Sequence, residues 1–250
     1  MLDLRKNQVL LEGFHASKHA IRFGACIVEL VSPNLKDLKK MTDSYAPDIE
    51  AYLNSKVRKI SEEGFSAYSD IDIRTPLAGI AKRKEYTIED IDKNKNIILL
   101  DSPRDLENIG AVVRVAAGLD LAALCTTGEH DPWHKNCIRA SQGMHFALPV
   151  IHLSDQDSEL MSGRELWVFD ESGDDLRDLD IPNDAILLFG SERNGVSKEW
   201  LNRADRVVRI PQIGLMSSYN LATAVAMGAY HARFCSYKAG DIAREAKLHS

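Results

Sequence analysis

The chain has few cysteines, no long apolar run and no excess of positive charge. Cys26, Cys125, Cys137 and Cys235 lie far apart and form no CxxC pair. That argues against a disulfide framework or a zinc site and fits a reducing compartment. No apolar stretch reaches about 18 residues, and the first residues lack an apolar core of the kind that signal peptides carry. Neither a membrane span nor export is indicated, so the reading is cytoplasmic. Lys and Arg number 31 against 37 Asp and Glu, a net charge of −6. A generally basic nucleic-acid binder is therefore excluded, although a local basic patch is not. GxGxxG and Walker patterns are missing, which removes the support for a Rossmann dinucleotide site or a P-loop. GxSxG is also missing, so nothing indicates an α/β-hydrolase. There is no internal repeat and no low-complexity tract.

What is present suits one large or two small soluble domains: 250 residues, 44% of them hydrophobic. Residues 1–90 read as a small α/β unit. A helix opens at Leu11–Ala16, a strand covers 25–31, helices cover 35–41 and 49–60, and short strands cover 69–73 and 78–81. Residues 86–95 are polar and mark a linker. Over 91–240 the pattern changes to strand, loop, helix, strand. Short apolar runs at 97–100, 121–125, 148–151, 166–169, 185–189 and 207–210 predict a parallel sheet with helical crossovers. Helices are expected over 111–117, with Gly118 as its C-terminal cap, and near 135–143. The last ten residues are charged and are expected to fray.

Open α/β sheets bind ligands in loops after the carboxyl ends of their strands. Polar residues collect there. Asn108 lies at the start of the 111–117 helix as a candidate cap, with Arg114 further along it. Arg139, Ser141 and Gly143 follow a helix start. Glu192 sits in the glycine-flanked loop 190–195, and Ser218 and Asn220 open the last helix. Taken singly, each has a plain structural explanation as a cap or a solvated charge. His15 and His19 have zinc-ligand spacing but lack the glutamate of HExxH, so a surface or half-buried pair is the better reading. Lys82, Arg83 and Lys84 could contact phosphates.

The order of the blocks matters more than any one of them. Asn-Ile-Gly-x3-Arg is followed by Arg-Ala-Ser-x-Gly, then Leu-Phe-Gly-Ser-Glu-x2-Gly, then Ile-Pro-x2-Gly-x3-Ser-x-Asn. This series resembles the SpoU/TrmH class of SPOUT methyltransferases over residues 96–236. The resemblance implies an α/β fold with a deep trefoil knot in its C-terminal segment and a homodimer packed through the last helix and the first motif helix. It implies S-adenosylmethionine as cofactor, held near Gly190, Ile210 and Tyr219. The reaction would be methyl transfer to a ribose 2′-hydroxyl of ribosomal or transfer RNA. Asn108, Arg114, Glu192, Ser218 and Asn220 would form the catalytic set, without a metal. Arg114 would stabilise the developing alkoxide, and Arg139 and Ser141 would hold substrate phosphate or support the site. Residues 1–90 are similar to the family's ribosomal-protein-like RNA-binding extension, through Gly13–Ala16 and 77–81. The chain departs from the family pattern at Leu106, Val196 and Tyr219, where proline, leucine and leucine are usual. A non-catalytic RNA-binding protein that keeps the fold is the alternative. An unrelated nucleotide-using α/β enzyme ranks last.

Overall fold

The computed structural model describes residues 4–69, 73–154, 163–213 and 218–235. Most of the strand expected at 69–73, residues 214–217 of the last motif, and the C-terminal tail fall outside the described residues.

Four strands form an N-terminal mixed sheet. β1 (Gln8–Glu12) and β2 (Ile27–Ser32) flank β4 (Ala78–Lys82), both antiparallel to it, and β3 (Val57–Lys59) adds to β2 in parallel. Two expectations are corrected here. The first helix, α1 (Phe14–Arg22), does not include Leu11 and Glu12, because these belong to β1. Gly13, at φ 95°, turns the chain out of the strand, and the Thr75 hydroxyl accepts the Phe14 N–H at 2.8 Å. The helix expected over 49–60 is shorter. After α2 (Leu35–Tyr45), α3 (Glu50–Lys56) gives way to β3 at the β-branched Val57, which pairs with Leu30. A short α4 (Glu62–Ser66) precedes β4.

The second sheet is wholly parallel among its described pairings, as expected. It comprises β5 (Ile97–Leu100), β6 (Ala123–Thr126), β7 (Val150–His152), β8 (Leu166–Asp175), β9 (Ile186–Phe189) and β10 (Arg206–Arg209). Their order is β10-β8-β9-β5-β6-β7. From β5 the chain steps out one way through β6 and β7, and the later strands lie on the other side. The reversal falls between β5 and β9, and that switch point opens a crevice at the carboxyl ends.

Side-chain alternation divides this sheet's two faces. Ile98, Leu100, Leu124, Leu187 and Phe189 face α5 (Leu106–Gly118), α6 (Lys135–Ala140) and α8 (Leu221–Tyr230). Ile97, Leu99, Cys125, Leu166 and Leu188 face the other way, towards α7 (Lys198–Arg203). All four residues of β5 are fully buried, the mark of a strand covered on both faces. The first of these clusters also contains Val9, Leu11, Ala16, Ala20 and Ala81 of the N-terminal region. A single apolar core thus joins the two sheets. No helix among the described residues is long and apolar enough to cross a membrane.

Candidate active site

The crevice at the switch point is built from two loops and two helix starts. After β9 the chain doubles back in a tight loop, with Ser191 and Gly195 exchanging both backbone hydrogen bonds at 3.0 Å. Gly190 is required there: a Cβ would stand 2.1 Å from the Gly195 carbonyl carbon. After β5 the chain turns through residues 101–105 into α5. Asp105 caps that helix, its carboxylate accepting the Glu107 and Asn108 N–H groups. This corrects the expectation that Asn108 is the cap and that the helix starts at Ala111. Gly118 is likewise the last helical residue, and Leu119 closes the helix.

With Asp105 as the cap, the Asn108 side chain is free to act across the crevice. Its amide donates to Glu192 Oε1 at 2.9 Å, and its carbonyl accepts from the Asn220 amide at 2.9 Å. Asn220 does cap the last helix as expected, its Oδ1 accepting the Ala222 and Thr223 N–H groups. Glu192 also accepts the backbone N–H groups of Arg104 at 3.1 Å and Asp105 at 3.3 Å. Residues far apart in sequence therefore form one relay, Glu192–Asn108–Asn220. Partial burial alone would raise the Glu192 pKa. Donation from Asn108 and from the backbone at residues 192, 104 and 105 outweighs it and holds the carboxyl below its usual value. An ionised Glu192 with these donors on it is a latch between the two loops and a poor proton shuttle near neutral pH.

The relay reaches, through Glu192, the wall of a cavity of about 450 Å³, large enough for a nucleoside-sized ligand. Gly190, Glu192, Ile210, Ser218, Tyr219 and Leu221 line it. Apolar walls from Ile210 and Leu221 suit a flat purine, and the backbone of 190–195 offers polar groups at close approach. Tyr219 is half-buried, and its hydroxyl donates to the Pro211 carbonyl at 3.3 Å, so the ring is tethered to the cavity wall. These donors and surfaces fit an adenosyl group.

Arg114 is not with the relay. Six residues from Asn108 place it about 9 Å along α5 and about 120° around it. It is exposed, with no hydrogen bond or ion pair among the described residues, and its charge acts on His15 of α1, where burial and Lys18 are the larger causes of a lowered pKa. His19 Nδ1 lies 2.8 Å from the Gln142 carbonyl. No cluster of three or more His, Cys, Asp or Glu among the described residues is placed to hold a metal.

The block Arg139-Ala140-Ser141-Gln142-Gly143 belongs to the seam between the sheets. Arg139 pairs with the buried Glu12 of β1 at 2.9 Å. Gly143, at φ 78°, lies so close to α1 that a Cβ would stand 2.4 Å from the Ala16 carbonyl oxygen. Ser141 is fully buried and 2.8 Å from His145 Nδ1, while His145 Nε2 donates to the Pro132 carbonyl at 2.8 Å. Of the two roles expected for Ser141, holding substrate phosphate or supporting the site, its burial favours the supporting one. Full burial pushes the His145 pKa down to about 4, so the imidazole is neutral. Lys82, Arg83 and Lys84 stand near this seam, away from the cavity. Arg83 is taken up by Asp131 at 2.7 Å and by the face of Trp133.

Asp101 went unremarked in the sequence. It follows the last residue of β5 and is 7% exposed. Its carboxylate accepts the Ser197 N–H at 2.9 Å and the Ser102 hydroxyl at 3.2 Å, and the Thr127 hydroxyl lies 3.4 Å away. It fastens the loops after β5, β6 and β9 to one another. Ser102 is held at φ 49°, a left-handed conformation that costs a non-glycine residue about 1–2 kcal/mol. The missed cap could have been found. Asp105 directly precedes the helical run and has Glu107 in the first turn, both start signals. Nothing local betrays Asp101.

Comparisons with known proteins identify related chains. Relatives include a 23S rRNA (guanosine(2553)-2′-O)-methyltransferase, RlmP, of Bacillus subtilis, 26% identical over 92% of this chain and 90% of its own. A 23S rRNA (uridine(2479)-2′-O)-methyltransferase of Streptomyces viridochromogenes is 33% identical over 54% of this chain and 51% of its own. Among solved structures, the AdoMet-bound rRNA methyltransferase from Sinorhizobium meliloti superposes with a TM-score of 0.75 at 25% identity, covering 93% of this chain and 89% of its own. The SpoU rRNA methylase family model matches residues 95–230, more than half the chain and all of the crevice, and the protein belongs to that family.

Proposed function

We propose that this protein transfers the methyl group of S-adenosylmethionine to a ribose 2′-hydroxyl of RNA, ribosomal or transfer. The observation that carries the reading is the Glu192–Asn108–Asn220 relay, whose Glu192 lines an adenosyl-sized cavity, within a fold shared with an AdoMet-bound relative. The cofactor supplies a methyl group on a sulfonium, already a strong electrophile. The protein's share is then to align the attacking oxygen and shed its proton. Gly190, Ile210 and Tyr219 would hold the adenosyl part. Asn108, Asn220 and Ser218 would orient polar groups at the open end of the cavity, and Glu192 would lock the two loops at a fixed spacing.

Arg114 would stabilise the alkoxide as it forms. Its position away from the relay supports a homodimer in which α5 and α8 meet their copies and Arg114 serves a site built by both subunits. Exposed Tyr230 and Phe234, in and just after α8, give that surface an apolar element. The family's knot would lie in the segment after β9, which is inserted between β5 and β8. Residues 1–90 would act as the RNA-binding unit, and the cytoplasm would be the site of the reaction.

The test is transfer of labelled methyl to unmodified ribosomal and transfer RNA, followed by alkaline hydrolysis. Label retained in alkali-resistant dinucleotides is the expected result. A protein that binds S-adenosylmethionine but labels base atoms would refute the ribose assignment. A protein that does not bind it would leave only an RNA-binding role.

A further inference from the structure

A groove of about 690 Å³ lies where the two sheets meet, apart from the candidate active site. Its walls are edge strands: the run into β1 on one side and β7 on the other. Between them stands the 83–86 segment, whose Arg83 N–H donates to the Asn7 carbonyl at 2.8 Å. Arg5, Lys6, Lys84 and His152 line the groove, all exposed, with Glu85 as its carboxylate. Arg5, Lys6 and Lys84 form no ion pair among the described residues. On a chain of net charge −6, this is a local concentration of uncompensated cations. Tyr86 completes it, half-buried against the core with the Lys84 ammonium 5.2 Å from its ring centroid.

The groove lies a few strands away from the candidate active site in the same parallel sheet. A second cavity, of about 300 Å³, shares Ser191 and Asn194 with the adenosyl-sized one and is also lined by Arg104 and His130. The next residue, Asp131, is the one paired with Arg83. The path crosses the carboxyl ends of β9, β5, β6 and β7. At the usual strand spacing that is about 14 Å, a short reach for an extended polynucleotide.

We propose that this seam groove is a second RNA-docking site: Arg5, Lys6 and Lys84 hold the phosphates of nucleotides flanking the target, and Tyr86 offers its ring to an unpaired base. The assignment rests on the RNA reading above. Clustered cations around an aromatic ring are the combination that binds single-stranded nucleic acid, with charge tracking the backbone and the ring stacking on a base. Because β1 and β7 come from different sheets, the groove exists only while the seam is closed. Lys82, although adjacent in sequence, is not part of its lining.

The test uses the full chain and fluorescein-labelled, unmodified ribosomal RNA stem-loops, with binding read by anisotropy across a salt series. S-adenosylmethionine affinity and methyl transfer are measured in parallel. The triple variant Arg5→Ala, Lys6→Ala, Lys84→Ala should bind RNA at least tenfold more weakly. Its dependence of log K on log salt should flatten by about two units, the change for three phosphates of a single strand that the protein no longer neutralises. Cofactor affinity should not change. Tyr86→Leu, which keeps the apolar packing, should weaken binding at least fivefold without altering the salt slope. A triple variant that binds like the parent, or an unchanged affinity in Tyr86→Leu, overturns the assignment. If the parent binds RNA through this groove yet transfers no methyl, the groove stands and the catalytic reading fails. If the parent methylates RNA and the variants match it in affinity and rate, the reverse holds.

Discussion

The crevice between β5 and β9 and the seam between the two sheets use polar residues in opposite ways. In the crevice, polar side chains are satisfied within the protein: Asn108 by the Glu192 and Asn220 side chains, and Asp101 by the Ser102 hydroxyl and the Ser197 backbone N–H. Such a network fixes positions to fractions of an ångström, which methyl transfer demands because its rate depends on alignment. At the seam, the half-buried Arg139 paired with the buried Glu12 closes the joint, while Arg5, Lys6 and Lys84 are left to water. Solvated cations have little geometric precision but long reach, which suits capture of a polyanion. Precision belongs to the first region and attraction to the second, and mutations should separate the two.

The largest effect is expected at Arg114. Arg114→Ala should lower methyl transfer by about 10²–10³-fold, the cost of removing a charge-stabilising donor, while cofactor affinity measured by titration stays put. Unchanged turnover would remove Arg114 from the chemistry. Next is the latch. Glu192→Ala leaves the N–H groups of Arg104 and Asp105 and the Asn108 amide without their acceptor, and should lower kcat by about 10²-fold through misplacement. Cofactor affinity should fall as well, since the same loop walls the cavity. Because the Glu192 pKa is held below its usual value, the acid limb of the rate profile should contain no group titrating as Glu192 above about pH 4.5.

Stability tests act on the seam. Leu11→Ala, in the shared core, should cost about 2–5 kcal/mol. Both sheets should then unfold in one transition at a lower temperature. Two separate calorimetric peaks would show that residues 1–90 fold independently. The smallest effect concerns acid. His145 is buried neutral with a pKa of about 4, whereas an unfolded histidine protonates near 6.5. The unfolded state therefore binds more protons between those values, and stability falls as the pH drops from about 6.5 to about 4. His145→Gln should flatten that part of the melting-temperature profile by a few degrees, and an unaltered slope would assign the acid sensitivity elsewhere.

The sequence by itself determined the parallel sheet. Short apolar runs such as 97–100 and 185–189 can be satisfied only by burial on both faces, and the polar loops after them mark the carboxyl edge. It also named Asn108, Glu192 and Asn220, because their spacing inside ordered blocks could be read without knowing where they meet. It misplaced the start of α1 and the end of α3, where a glycine turn and a β-branched residue decided the matter against helical periodicity. Only the tertiary structure showed that the Asn108 amide, left free by the Asp105 cap, reaches Glu192, 84 positions away. Only it turned the Arg139–Gly143 block from a candidate phosphate site into the joint between sheets, since Glu12 and Ala16 are more than 120 residues distant. The physical reason is the same in each case. Local pattern encodes which face of an element is buried, whereas the partner of a polar side chain is set by which loops the fold brings side by side.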